Sequence, residues 1–136
     1  MTGLELAVRM VAAVLVGEAG GEPQTGMEAV AETIAVRMSE RRQDAVTVVT
    51  DRAQYCAWRG ARHARKVAAT WEQASPAKWA YAREQALQVI EGRFPISEHR
   101  WNHFYRPQHG KKPPAWFSDF TESKRIGKQI FGRIEP

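Results

Sequence analysis

The chain predicts a mainly helical α+β fold, one domain over residues 1–136 with a small β element near its C-terminus. Three observations carry that expectation. Apolar residues recur at helical spacing through most of the chain up to Gly92; beyond it, prolines and aromatics crowd in and the spacing is lost. A length of 136 residues suits a single core and is short for two.

Thr2-Gly3-Leu4-Glu5 has the spacing of a capping box, so a first helix starts at the terminus and runs through the apolar stretch Leu4 to Val16. It stops at Gly17-Glu18-Ala19-Gly20-Gly21-Glu22-Pro23, which reads as a glycine-rich turn. Thr25-Gly26-Met27-Glu28 repeats the capping pattern, and Met27, Val30, Ala31, Ile34, Ala35 and Met38 follow at helical spacing up to the polar run Ser39 to Asp44. Glu28, Glu32, Arg37 and Glu40 fall mostly off that stripe and read as solvated charges. Ala45 to Ala53 reads as a short helix capped by Thr47 or Thr50, and the basic segment Arg59 to Lys66 as irregular. Ser75-Pro76, a capping residue before proline, opens a third long helix that Gly92 ends. In the last third, Trp101–Tyr105 and Arg125–Phe131 are expected to pair as strands around a long proline-rich loop.

The net charge of +5 is spread over four basic runs and favours polyanionic partners: nucleic acid, anionic lipid or the acidic bacterial wall. The single cysteine, Cys56, excludes an internal disulfide and a multi-thiolate metal site. The apolar opening lacks a basic n-region and is interrupted by Glu5 and Arg9, so it reads as part of the fold rather than a signal peptide. No stretch approaches the length of a membrane span. A cytoplasmically made monomer without cofactor is expected, and any export would use another route.

Three constellations are candidates for chemistry. Glu18 stands where a buried helix meets flexible backbone; partial desolvation there raises a carboxyl pKa, which a proton-donating acid needs. Glu22 lies four residues on, with glycines between that admit a bulky ligand. Gln54, Tyr55, Trp58, Asn102, His103 and Trp116 combine flat aromatic surface with amide and imidazole groups, as saccharide binding requires. His99 and His103 have H-x3-H spacing, but the acidic residue of a zinc helix and further ligands are missing, so no metal is expected.

Gly17-Glu18-Ala19-x-Gly21-Glu22-Pro23-x-x-Gly26, followed by Ala29-Val30-Ala31 and Val36-Arg37, resembles the opening motif of the SleB-type cell wall hydrolases, the spore cortex-lytic enzyme family. Gln54-Tyr55, Cys56-Ala57-Trp58, Asn102-His103-Phe104-Tyr105 and Arg125-Ile126-Gly127 arrive in that family's order, although Lys128 and Gln129 depart from its closing motif. The resemblance implies a lysozyme-like domain that cleaves peptidoglycan glycan strands between N-acetylmuramic acid and N-acetylglucosamine, with Glu18 as the catalytic acid. It also implies lytic transglycosylation as an outcome. A short basic chain of this kind is similar to bacteriophage endolysins, which reach the wall through a holin or from the virion. Two other readings compete: a hydrolytic muramidase using a second carboxylate, and a basic nucleic-acid-binding module, against which stands the absence of an arginine-clustered recognition helix.

Overall fold

The computed structural model describes every residue except Met1, Arg52 and Ala53. Thr2 caps the first helix as expected, its Oγ1 accepting from the Glu5 amide at 3.1 Å. This helix, α1 (Gly3–Ala19), runs beyond Val16, so Glu18 lies in its last turn rather than in the bend that follows. The extension holds because Ala19 and Gly20 are buried and the Gly20 amide still donates to the Val16 carbonyl, at 2.8 Å. From Met10 to Val16 every residue is buried, and α1 is the rod on which the other helices pack.

The second helix, α2 (Gln24–Arg41), begins before Thr25, so the expected threonine cap is replaced. Pro23 is the N-cap, extended at φ −61° and ψ 163°, and its carbonyl accepts from Gly26 and Met27 at 2.9 and 3.3 Å. The proline ring already fixes the dihedral at which the helix starts, and Thr25 falls inside. Glu32 and Arg37, expected in solvent, are only 5% and 2% exposed. The reason is tertiary: α2 packs against α1, α3, α5 and the strand at residues 103–105, and the 97–102 segment supplies partners for both side chains.

Helix α3 (Ala45–Val49) is capped by Asp44, whose Oδ1 accepts from the Thr47 amide at 2.8 Å, and not by Thr47 or Thr50. The basic segment is helical as well: α4 (Ala61–Ala74) turns Ala64, Val67, Ala68 and Trp71 inward and leaves Arg62, His63, Arg65 and Lys66 outside. Its apolar stripe is built from small alanines among charges, which hides the period in the sequence. Helix α5 (Pro76–Ile90) starts on proline as predicted, without a side-chain cap from Ser75, and buries Trp79, Ala82, Ala86 and Val89.

The β element has three strands, β1 (His103–Tyr105), β2 (Glu122–Ile126) and β3 (Gln129–Arg133), in the antiparallel order β1-β3-β2. Arg125–Phe131 is therefore two strands and not one: a hairpin turn at Gly127-Lys128 places Ile126 opposite Gln129. Phe104 pairs with Phe131 across β1 and β3. Between β1 and β2, a 3-10 helix (Ala115–Asp119) carries Trp116 and Phe117 against Tyr105 and Phe120. One apolar cluster joins all five helices to β1 and β3, with Leu15, Ile34, Tyr55 and Phe131 at its centre. Among the described residues no helix is long and apolar enough to cross a membrane.

Candidate active site

Glu18 is half-buried at the end of α1, and its Oε1 accepts a hydrogen bond from the Ala57 amide at 2.9 Å. Burial raises its pKa above the ordinary glutamate value; the amides of Ala57 and Cys56 and the charge of Arg59 pull the other way without cancelling it. The loop can come this close because residue 17 is glycine: a Cβ there would stand 2.5 Å from that of Ala57.

What holds the Gln54–Gly60 loop in place is a buried network. Tyr55 is fully enclosed, its hydroxyl 3.0 Å from Thr33 Oγ1, and burial pushes the phenol up to about 12. The Arg37 guanidinium lies 5.5 Å from the centre of the Tyr55 ring. Arg37 Nε donates to the Asn102 carbonyl at 2.7 Å and its Nη2 to Gln54 Oε1, while Gln54 Nε2 donates to the Phe104 carbonyl at 3.3 Å. α2, the loop and β1 are thus tied through one guanidinium.

The hairpin turn closes the other side. Gln129 Nε2 donates to the Glu18 carbonyl at 2.9 Å, and the Lys128 amide to the Glu22 carboxylate at 3.1 and 3.3 Å. Gly127 sits at φ 61°, and a Cβ there would fall on Glu22 Oε2. Gly127→Ala is therefore expected to cost about 1–2 kcal/mol for the left-handed backbone alone, and more if Glu22 must leave. A urea midpoint equal to the parent's would show that this turn does not hold the corner.

Tyr55 and Asn102 differ from the sequence expectation that they meet a sugar. The Tyr55 ring has no exposed surface, and Asn102 is 4% exposed with its amide spent internally. Asn102 Nδ2 donates to Glu40 Oε1 and to the Ile134 carbonyl, at 3.1 and 2.7 Å, and its Oδ1 accepts from the Ile134 amide at 2.9 Å. Both residues position others. Trp58 is half-buried against the core, and His103 faces Trp116 with ring centres 5.0 Å apart. Of the five tryptophans, Trp79 and Trp101 belong to the core. His99 stacks on Trp101 at 4.6 Å and bonds to Glu122, whereas His103 Nδ1 lies 3.0 Å from Asn102 Oδ1. Among the described residues no three His, Cys, Asp or Glu side chains gather as metal ligands.

Burial first, then the charges of Arg37 and Arg41, lowers the His103 pKa to about 4. An unfolded chain, with its imidazole near 6.5, takes up a proton that the native ring refuses, so stability falls as pH drops from about 6.5 towards 4 and is level above that window. The melting temperature should decline across this range and the decline should flatten in His103→Gln. An equal decline in the variant would assign it to other groups.

Sequence reasoning missed Arg37, Glu32 and Gln129 as site-building residues. Glu32 fixes the 97–101 segment, accepting from the Ser97 amide at 2.6 Å, the Ser97 hydroxyl at 3.0 Å and the Trp101 amide at 3.0 Å. Gln129 is 2% exposed, and its Oε1 has no partner among the described residues. The one local hint was that Glu32 and Arg37 stand beside buried apolar residues of α2; Gln129, in β3, gave none.

Fold and site define a mainly helical α+β protein whose first helix delivers one recessed carboxyl group to a corner shared by a loop and a hairpin. The Cell Wall Hydrolase family profile matches residues 21–132, and the chain belongs to that SleB-type family of peptidoglycan-degrading enzymes. No curated protein and no solved structure gives a significant match. The matched stretch starts just after Glu18, whose assignment therefore stands on the geometry.

Proposed function

We propose that the protein is a lytic transglycosylase cutting the β-1,4 bond between N-acetylmuramic acid and N-acetylglucosamine, with Glu18 as acid and then base. The observation that carries this reading is a raised-pKa carboxyl group at the corner whose nearest acidic neighbour in sequence, Glu22, is committed to the Lys128 amide. A retaining or inverting hydrolase needs a second carboxylate free to attack or to activate water. A transglycosylase works with one.

Protonated Glu18 gives its proton to the glycosidic oxygen as the bond from the muramic anomeric carbon breaks, its electron pair leaving with that oxygen. The carboxylate so formed is held by the Ala57 and Cys56 amides. It then takes the proton of the muramic 6-hydroxyl, whose oxygen attacks the anomeric carbon and closes a 1,6-anhydro ring; proximity within one sugar replaces the second carboxylate. Trp58, His103 and Trp116 keep surface for the glycan, Glu22 and the hairpin turn bound the corner, and Gln54, Tyr55 and Asn102 act by holding backbone. The basic surface suits an endolysin-like enzyme acting on the bacterial wall.

Digestion of purified peptidoglycan followed by mass measurement of the muropeptides tests the reaction. Anhydro-muramic ends, lighter than reducing ends by one water, are expected. Reducing ends alone would replace the proposal with a hydrolytic muramidase. Tight, steeply salt-dependent DNA binding without lysis would favour the nucleic-acid reading.

A further inference from the structure

A cleft of about 390 Å³ lies between α2, α5, the 94–101 segment and β2. That is within the range of small-ligand sites. Its floor holds two glutamines, Gln85 and Gln88, three residues apart on one face of α5. Gln85 is 8% exposed, yet among the described residues neither its amide nor that of Gln88 has a hydrogen-bond partner. Among the described residues the only fully buried side-chain nitrogen or oxygen without a partner is Gln129 Oε1, so the Gln85 carboxamide, which lines the cleft, keeps its small exposure and is open to a ligand. The opposite wall is preformed, because Glu32 locks Ser97 and Trp101 to α2.

A carboxamide offers one donor face and one acceptor, the complement of a secondary amide. Peptidoglycan carries secondary amides in its acetamido groups and in its stem peptides. The rim decides between them: exposed Glu28 lines one side and exposed Lys124 the other. A stem peptide with a free amino group and a terminal carboxylate meets both charges, whereas an acetamido sugar meets neither. We infer that this cleft is a binding site for the peptide stem, built on the Gln85 and Gln88 amides between Glu28 and Lys124. Its position supports the role: Ile126 lines the cleft, and the next two residues form the turn that holds Glu22. The inference deepens the peptidoglycan reading, since it adds recognition of the peptide to cleavage of the glycan.

The test is a titration of isotope-labelled Glu18→Gln protein, which prevents turnover, with a free stem peptide containing a diamino residue and, separately, with an N-acetylglucosamine oligomer. The peptide should shift the Gln85 and Gln88 side-chain amide signals and the Lys124 backbone signal; the sugar should not. Because Gln85 is buried, the exposed-rim variant Lys124→Glu carries the comparison: its affinity for the peptide should drop about fivefold or more, the worth of one good ion pair. The parent's preference for peptide-bearing walls over peptide-stripped glycan strands should fall by a similar factor in that variant. Unmoved signals with the peptide, or the same signals moved by the sugar, would overturn the site. Should Glu18→Gln retain full lysis, the acid assignment fails while the titration still reads the cleft.

Discussion

Replacing Glu18 by glutamine should abolish wall lysis while leaving a protein at least as stable as the parent at neutral pH. A positioned general acid contributes roughly 10²–10⁴ in rate, and here the same group serves twice, so the loss should reach the upper end. Stability moves the other way for a specific reason. The folded pKa of Glu18 is raised, so the proton-bound form is favoured by the fold, and that contribution disappears as pH rises through the folded pKa. Glutamine carries no charge to desolvate at any pH, so whatever fraction of the carboxyl group is ionised costs the parent something that the variant avoids, and the glutamine Oε1 can still accept from Ala57. Clearing of a wall suspension and thermal melting measure the two effects. A variant that melts like the parent and still clears walls at the parent rate would remove Glu18 from the mechanism.

Arg37→Met should destabilise the protein by roughly 3 kcal/mol, the scale of losing hydrogen bonds from a charged donor and leaving buried acceptors unpaired. Arg37 is 2% exposed and serves the Asn102 carbonyl and Gln54 Oε1 together, so the methionine orphans groups both just before β1 and on the Gln54–Gly60 loop. Loop disorder should reach Glu18 through Ala57, and activity should fall even where the variant is folded. Lysine is not expected to rescue it, because one ammonium lacks the fork that spans two acceptors. Urea unfolding with an unchanged slope reads the first effect. A midpoint shift worth less than about 0.5 kcal/mol, the range of ordinary surface changes, would show that Arg37 does not hold the loop.

The placement of Glu18 was legible because it is set locally: an apolar helix, a carboxyl group in the final turn and small residues beside it. Glu22 was legible as part of the corner, but its partner, the Lys128 amide, lies more than a hundred residues away and gave no local sign. α4 was hidden because its inward stripe is mostly alanine and its outward face dense with charge, a pattern that resembles loop when read for hydrophobicity alone. The hairpin was hidden because Gly127 turns the chain within a stretch whose side chains on both sides suit strand.

Local order in the chain settled the mainly helical class, the small C-terminal sheet, the Pro76 helix start and the placement of an acid at the end of the first helix. Such features depend on neighbours within a few residues, where propensity and spacing act directly. Tertiary packing alone decided that Glu32 and Arg37 are interior, that Tyr55 and Asn102 serve as struts, and that loop and hairpin meet at Glu18. A charged side chain is driven inside only when layers on both sides exclude water and partners satisfy it, and those layers come from distant parts of the chain.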